Sequence, residues 1–114
     1  MKDLAKFLVS TLLEDTITPS ESKLTAMFGK HYERCPSQIQ DMCHSKYHRW
    51  RDKPDSLKFE FKVNTPHGRL YSVHIDYNYH ALCIVKGTVV TWLAVSAYQD
   101  YTRLMDQIRA EAGR

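Results

Sequence analysis

The stretch that decides the fold is LYSVHIDYNYHALCIVKGTVVTWLAV, residues 70 to 95. From Tyr71 to Asp76 apolar and polar residues alternate, which is the period of a half-buried β-strand. Tyr77-Asn78 and Lys86-Gly87 are turn sequences, so hairpins are predicted between consecutive strands. The three predicted strands are Leu70–Asp76, Tyr79–Val85 and Thr88–Val95. The last is apolar at almost every position and is predicted to be the most buried.

The pattern extends on both sides of this stretch. Alternation over Lys58–Val63 predicts one more strand, followed by the loop Asn64–Gly68. After Val95, Ser96 and Gln99 resemble a capping box, which predicts a C-terminal helix. The apolar residues of that helix that are expected to face inward are Tyr98, Tyr101, Leu104, Met105 and Ile108.

Three amphipathic helices are predicted before the sheet. The first covers Lys2–Glu14, with its apolar stripe at Leu4, Phe7, Leu8 and Leu12, and the turn Thr16–Ser22 ends it. The second runs from about Leu24 to Tyr32 with a cap near Ser22, and the third begins at Pro36 and stops before Pro54. The sequence therefore predicts an α+β fold, with N-terminal helices packed on a twisted antiparallel sheet of three to four strands and a C-terminal helix.

Length and composition indicate one globular domain. The chain has 114 residues, of which 43% are hydrophobic and 25% charged. Within it, residues 1–15 form the extra N-terminal helix and residues 16–114 the main domain. The formal net charge of +3 points weakly to a polyanionic partner.

Cysteine usage and the N-terminus bear on the compartment. Cys35, Cys43 and Cys83 are odd in number and far apart, which disfavours a disulfide framework and favours a reducing compartment. Phe7–Leu13 is too short for a membrane span, and Asp3 and Glu14 flank it with the wrong charge for a secretory signal. We therefore expect a cytoplasmic protein with no membrane partner.

Seven side chains in the second half suit RNA chemistry, because cations hold phosphates while imidazoles and phenols move protons. They are Lys58, Lys62, Arg69, His74, His80, Tyr98 and Tyr101. A two-residue loop at Tyr77-Asn78 would place His74 and His80 on opposite faces of the sheet, and a three-residue loop on the same face. A shared face is a prediction of the enzyme hypothesis.

A metal site is the alternative to this hypothesis. His44 and His48 stand one helical turn apart, with His31, Cys35 and Cys43 nearby in sequence. The spacing fits no closed zinc pattern, and Cys43 belongs to the apolar face of its helix. No nucleophile elbow or phosphate loop is legible either, so neither a metal nor a cofactor is predicted.

Short motifs occur in a characteristic order along the chain. They are HYERCP (31–36), WRDKP (50–54), SLKF (56–59), LYSVHI (70–75), YHAL (79–82) and WLAVSAYQDYTRL (92–104). In this order and spacing the chain resembles the RelE/ParE superfamily of bacterial toxins, in its RelE/HigB-like branch. The resemblance covers residues 24–108 and implies a RelE-like fold.

The resemblance also implies a function. Such a protein is the toxin of a type II toxin–antitoxin system, an endoribonuclease that cleaves mRNA on the ribosome and is silenced by a cognate antitoxin. The ribose 2′-hydroxyl attacks the neighbouring phosphate without metal or cofactor. Matched positions give His74, His80, Tyr98 and Tyr101 as catalytic residues, and Lys58, Lys62, Arg69 and Arg103 as RNA-binding residues.

Three positions depart from the family pattern. His74 and His80 stand where relatives carry cations, and Glu60 stands where they tend to carry Lys. The alternative is therefore a non-catalytic binding protein on the same scaffold, either a gyrase-poison type or a cleavage-deficient homologue. The N-terminal helix lies outside the family pattern. It either completes the core or contacts an antitoxin or a second copy of the chain.

Overall fold

In a computed structural model of the protein, the described residues are 14–15, 17, 19 and 21–112. The strands are β1 Glu14–Asp15, β2 Glu21–Leu24, β3 Phe59–Thr65, β4 Gly68–His74, β5 Tyr79–Lys86 and β6 Val89–Ala97. The helices are α1 Ala26–Arg34, α2 Ser37–Asp52 and α3 Tyr101–Ala112, with short 3₁₀ turns at Pro54–Ser56 and Tyr98–Asp100. The predicted α+β class is confirmed.

The sheet is larger than predicted. Its strand order is β1-β3-β4-β5-β6-β2, with five strands of four to nine residues and the two-residue β1. The four strands predicted from alternation are β3 to β6, and they form an antiparallel meander. The count of three to four strands was wrong, and so was a fully antiparallel sheet, because β2 pairs with β6 in parallel.

The segment before α1 differs from its prediction. Ser22 was expected in a turn and near a helix cap, but it lies in β2, opposite Val90. The cap is Thr25, whose Oγ1 accepts from the backbone N–H of Phe28 at 3.1 Å. The same hydroxyl donates to the carbonyl of Trp92 at 2.9 Å, so it joins the start of α1 to β6.

Each face of the sheet carries its own apolar core. On one face α1 and α2 cover a cluster that includes Trp50, Phe59 and Trp92. On the other, which we call the α3 face, Leu70, Leu82 and Ala94 pack against three residues of α3: Leu104, Met105 and Ile108. Side chains alternate between the faces, so the position of a strand residue decides which core or surface it joins.

An apolar cavity of about 330 Å³ lies on the face of α1 and α2, among Phe28, Tyr32, Cys43 and Trp92. Most of its lining residues belong to the core on that side of the sheet or pack against it. It is therefore separate from the polar side chains of the α3 face.

Two helix starts shift from their predicted places. Pro36 is the cap of α2 and not its first helical residue. The capping box at Ser96 was wrong, because β6 continues through Ala97 and the Ser96 hydroxyl donates to the Ala97 carbonyl at 3.2 Å. Tyr98 consequently stands in a 3₁₀ turn before α3.

The predicted N-terminal helix lies outside the described residues except at its last position. Glu14 belongs to β1 and pairs with Glu60, so the helix does not include it. The division of the chain at residue 15 stays a prediction. Among the described helices, none combines the length and the apolar character needed to cross a membrane.

Candidate functional site

The loop between β4 and β5 decides where the two histidines point. His74 and His80 are directly opposite each other in the β4–β5 pair, so they share the α3 face. The Ile75 N–H donates to the Tyr79 carbonyl at 3.0 Å, which closes a loop over residues 76–78. Asp76 Oδ1 accepts from the N–H groups of Asn78 at 2.7 Å and Tyr79 at 2.8 Å, which fixes the loop. The predicted shared face is confirmed.

His80 is buried at the base of this site. Its side chain is 0% exposed, and its Nδ1 lies 3.2 Å from the hydroxyl of Ser72, which is also buried. Burial lowers the pKa of His80 to about 4, and the nearby Lys62 ammonium acts in the same direction. The imidazole is therefore neutral at pH 7, held by Ser72 inside the protein.

Tyr98 covers His80 and reaches His74. The rings of Tyr98 and His80 lie 4.4 Å apart between centroids, inclined at 36°. The Tyr98 hydroxyl lies 3.1 Å from Nδ1 of His74, and both residues are exposed to solvent. The Tyr98 backbone N–H donates to the Asn78 carbonyl at 2.8 Å, which anchors the 3₁₀ turn on the β4–β5 loop. Three side chains that are distant in sequence thus form one layered cluster.

A pair of opposite charges completes the cluster. Lys62 Nζ lies 2.9 Å from Glu60 Oε1. The register between β3 and β4 shifts between Phe61 and Val63, so Lys62 is the extra residue of a bulge. Glu60 lies opposite Ser72, the residue whose hydroxyl contacts His80, and both charges act on the pKa of His80, Lys62 lowering it and Glu60 raising it.

Of the remaining predicted site residues, three have no contact with this cluster among the described side chains: Arg69, Arg103 and Lys58. Arg69 lies on the opposite face, where its guanidinium stacks 4.4 Å from the ring of Phe61 and 5.5 Å from that of Tyr71. Arg103 lies on α3, where it pairs with Asp100 at 3.4 Å. Lys58 is exposed one residue before β3. Tyr101 is the first residue of α3, and its side chain is not among those described.

Sequence reasoning missed Ser72 as a member of the site. The signal was present, because Ser72 and His74 are two residues apart on one strand and so share a face. Asp76, which holds the loop, was likewise read only as a polar strand residue. An aspartate directly before Tyr77-Asn78 is typical of side-chain-closed turns.

The geometry supports proton transfer at an exposed position. A neutral imidazole has one donor and one acceptor nitrogen, so a proton on Nδ1 lets His74 donate to the Tyr98 oxygen and keeps Nε2 as a base. The phenol keeps its own proton for donation. Lys62 supplies positive charge that acts on His80, and Glu60 offsets part of it.

His44 and His48 are the two histidines that stand one helical turn apart, and their rings meet edge to face with centroids 4.3 Å apart. Within the described part of the chain, no group of three or more His, Cys, Asp or Glu residues is arranged to hold a metal ion. The absence of a metal and of a cofactor stays a prediction.

Comparison with solved structures identifies a similar fold. The chain resembles a chain of the RelB-RelE antitoxin-toxin complex from Methanococcus jannaschii, with a TM-score of 0.57 and 16% sequence identity. The match covers 72% of this chain and 96% of that chain. No protein-family model matches the sequence, and no curated protein matches it. The similarity shows that the two chains share a fold.

Proposed function

We propose that this protein is the toxin of a toxin–antitoxin pair and that it cleaves mRNA on the ribosome. One observation carries the proposal: on the α3 face, Nδ1 of His74 and the hydroxyl of Tyr98 lie 3.1 Å apart, and both side chains are exposed to solvent. The similarity to a chain of an antitoxin-toxin complex supports a cognate antitoxin as partner. Beneath this pair, His80 contacts the Tyr98 ring, with centroids 4.4 Å apart, and this contact supports a fixed position for the phenol.

The proposed reaction starts at the ribose 2′-hydroxyl. His74 Nε2 accepts its proton while the 2′-oxygen forms a bond to the adjacent phosphorus. The bond from phosphorus to the 5′-oxygen breaks, and the Tyr98 hydroxyl protonates that oxygen. The products are a 2′,3′-cyclic phosphate and a 5′-hydroxyl end. The Nδ1 proton of His74 then passes to the phenolate across their 3.1 Å contact, which leaves both side chains neutral. Release of the Nε2 proton to water and uptake of a proton from water at Nδ1 then restore the starting tautomer.

His80 has a different role from the one expected. A proton-transfer group must reach the substrate, but His80 is 0% exposed beneath Tyr98. In our proposal it positions the phenol, with Ser72 fixing the imidazole from below. Tyr101 keeps its predicted role in orienting or stacking on a base, as a prediction.

Lys62 is the cation placed to attract the scissile phosphate. Its distance of 2.9 Å from Glu60 means that the carboxylate competes with the phosphate for the ammonium. This observation favours the second candidate function, a non-catalytic binding protein on the same scaffold, because a carboxylate at this position repels RNA. The two candidates differ in whether bound RNA is cut.

Purified protein incubated with translating ribosomes tests the proposal. We expect cleaved mRNA with 2′,3′-cyclic phosphate ends, detected by primer extension and end-group analysis. His74→Ala is expected to lower cleavage by at least about 100-fold, the usual contribution of a positioned acid or base. His48→Ala is the matched control, because His48 is exposed on α2.

Cleavage that persists in His74→Ala would overturn the assigned role. Growth arrest on expression without any cut mRNA would favour the binding protein. If expression causes no growth arrest, so that a co-expressed neighbouring gene has nothing to relieve, the toxin proposal itself is refuted.

A further inference from the structure

A polar concavity lies next to the segment that carries Tyr98. It has a volume of about 480 Å³ and is lined by residues at the end of α1, at the ends of β5 and β6, and along the 3₁₀ turn and α3. We call it the arginine cleft, after Arg34 and Arg103. Its size falls in the range of ligand sites in proteins, roughly 300 to 1,000 Å³.

The cleft is directly adjacent to the candidate catalytic phenol. Ala97 and Gln99 both line it, and they flank Tyr98 in the sequence. Because consecutive Cα atoms are about 3.8 Å apart, the cleft begins within one residue of Tyr98. Tyr98 is not among the lining residues of the cleft, and its ring covers His80 on the α3 face, so residues 97–99 connect the cleft with the cluster of His74 and Tyr98.

The charges of the cleft suit a phosphate. The ion pair of Arg103 with Asp100 spans 3.4 Å, with side chains 85% and 45% exposed, and such surface pairs contribute little. Arg103 can therefore engage another anion. Among the described side chains, no carboxylate lies within ion-pair distance of Arg34. Two guanidinium groups against one carboxylate leave the cleft net positive, and guanidinium matches phosphate geometry.

The cleft also offers groups that recognise a nucleoside. The amides of Gln99 and Gln107 each carry donors and an acceptor, which suit a ribose hydroxyl or a base edge. A purely electrostatic anion site would not need them. Cations and amides together favour single-stranded RNA over an acidic peptide as the ligand.

We propose that the arginine cleft holds the nucleotide adjacent to the one cleaved at His74 and Tyr98. Arg34 and Arg103 bind its phosphate, while Gln99 and Gln107 contact its ribose or base. This inference rests on the proposed RNA-cleaving function. It assigns a site to a second nucleotide, so that the RNA strand passes over residues 97–99 between Tyr98 and the cleft.

The first test compares two arginine variants. Binding of a fluorescent single-stranded RNA is measured by anisotropy over a range of salt concentrations. We expect Arg34→Gln to weaken binding several-fold and to lower the salt slope by about 0.7, the value for one lost phosphate contact on a single strand. Arg49→Gln is the matched control, because Arg49 is an exposed arginine of α2 that does not line the cleft.

The second test uses a native thiol of the cleft. Cys35 is half-buried and lines the cleft, whereas Cys43 and Cys83 are buried and serve as internal references. Burial raises the pKa of the Cys35 thiol, so alkylation with iodoacetamide is run at mildly alkaline pH. We expect the RNA to slow the modification of Cys35, measured by mass spectrometry, without changing the other two.

The outcomes of these tests distinguish failure of this inference from failure of the proposed function on which it rests. If the wild-type protein binds no RNA, the proposed function fails. If it binds RNA but the two arginine variants behave alike and Cys35 is not protected, the arginine cleft alone is refuted. Protection of Cys35 by a glutamate-rich peptide and not by RNA would also refute it.

Discussion

The Nδ1 atom of His74 and the hydroxyl of Tyr98 lie 3.1 Å apart, although 24 residues separate them in the sequence. Strand β4 supplies the first residue and the 3₁₀ turn before α3 supplies the second. The contact joins an exposed imidazole to a phenol whose ring covers a buried imidazole. The proposed chemistry depends on this contact.

Tyr98→Phe removes the hydroxyl and keeps the ring that covers His80. We expect RNA cleavage to fall about 100-fold or more, because the leaving oxygen loses its proton donor. Thermal stability should change little, since the ring stays in place. Single-turnover cleavage and thermal melting measure the two effects. Tyr77→Phe is the control, because Tyr77 is 82% exposed in the neighbouring loop. Equal cleavage by both variants would refute the donor role.

His80 makes the free energy of unfolding depend on pH. Its pKa is about 4 in the folded protein and 6.5 in its ordinary state, so the unfolded chain binds more protons between these values. Stability is therefore full above about pH 6.5 and is lost as pH falls toward 4. From this group alone we expect the free energy of unfolding to fall by about 2 kcal/mol between pH 7.5 and pH 5.

Urea unfolding at the two pH values, on the wild type and on His80→Gln, measures this contribution. Glutamine does not titrate, so the variant should lose about 2 kcal/mol less than the wild type between the two pH values, whatever its absolute stability. The same loss in both proteins would show that His80 is not the group responsible.

Glu60→Gln tests the competition for Lys62. Removing the carboxylate 2.9 Å from the ammonium makes the site more positive. We expect RNA to bind about fivefold more tightly at low salt, from about 1 kcal/mol of removed charge repulsion. Fluorescence anisotropy measures the change, and Asp55→Asn is the control at an exposed carboxylate. An unchanged affinity would place the RNA away from Glu60.

Replacement by alanine is expected to change stability in opposite directions at Gly68 and Gly29. Gly68 has a φ of +134°, and a Cβ there would lie 2.6 Å from the Val85 carbonyl oxygen. Gly68→Ala is expected to lower the free energy of unfolding by about 2 to 4 kcal/mol. In Gly29, inside α1, a Cβ meets nothing within 4 Å, so Gly29→Ala should stabilise by roughly 0.5 to 1 kcal/mol. Chemical denaturation of both variants checks the signs.

The alternation of side chains along a β-strand was enough to predict which face of the sheet each predicted site residue of β4 lies on. Arg69 and His74 are five residues apart on one regular strand, so a period of two already places them on opposite faces. The structure shows that separation, with Arg69 stacked on Phe61. By contrast, β2 could not be predicted from alternation, because its sequence ESKL has no apolar period and Leu24 is 64% exposed. It is a strand because its backbone pairs with β6.

The sequence by itself determined the strands β3 to β6, the helix over residues 37–52 and the apolar stripe of α3, because these depend on local periods of two and 3.6 residues. Only the tertiary structure decided that His80 is buried, that Tyr98 lies over it and that His74 contacts the Tyr98 hydroxyl. This burial and these contacts depend on elements that are far apart in the chain. A local pattern cannot encode the distance between them, and that distance sets the pKa of His80 and the contact of His74 with Tyr98.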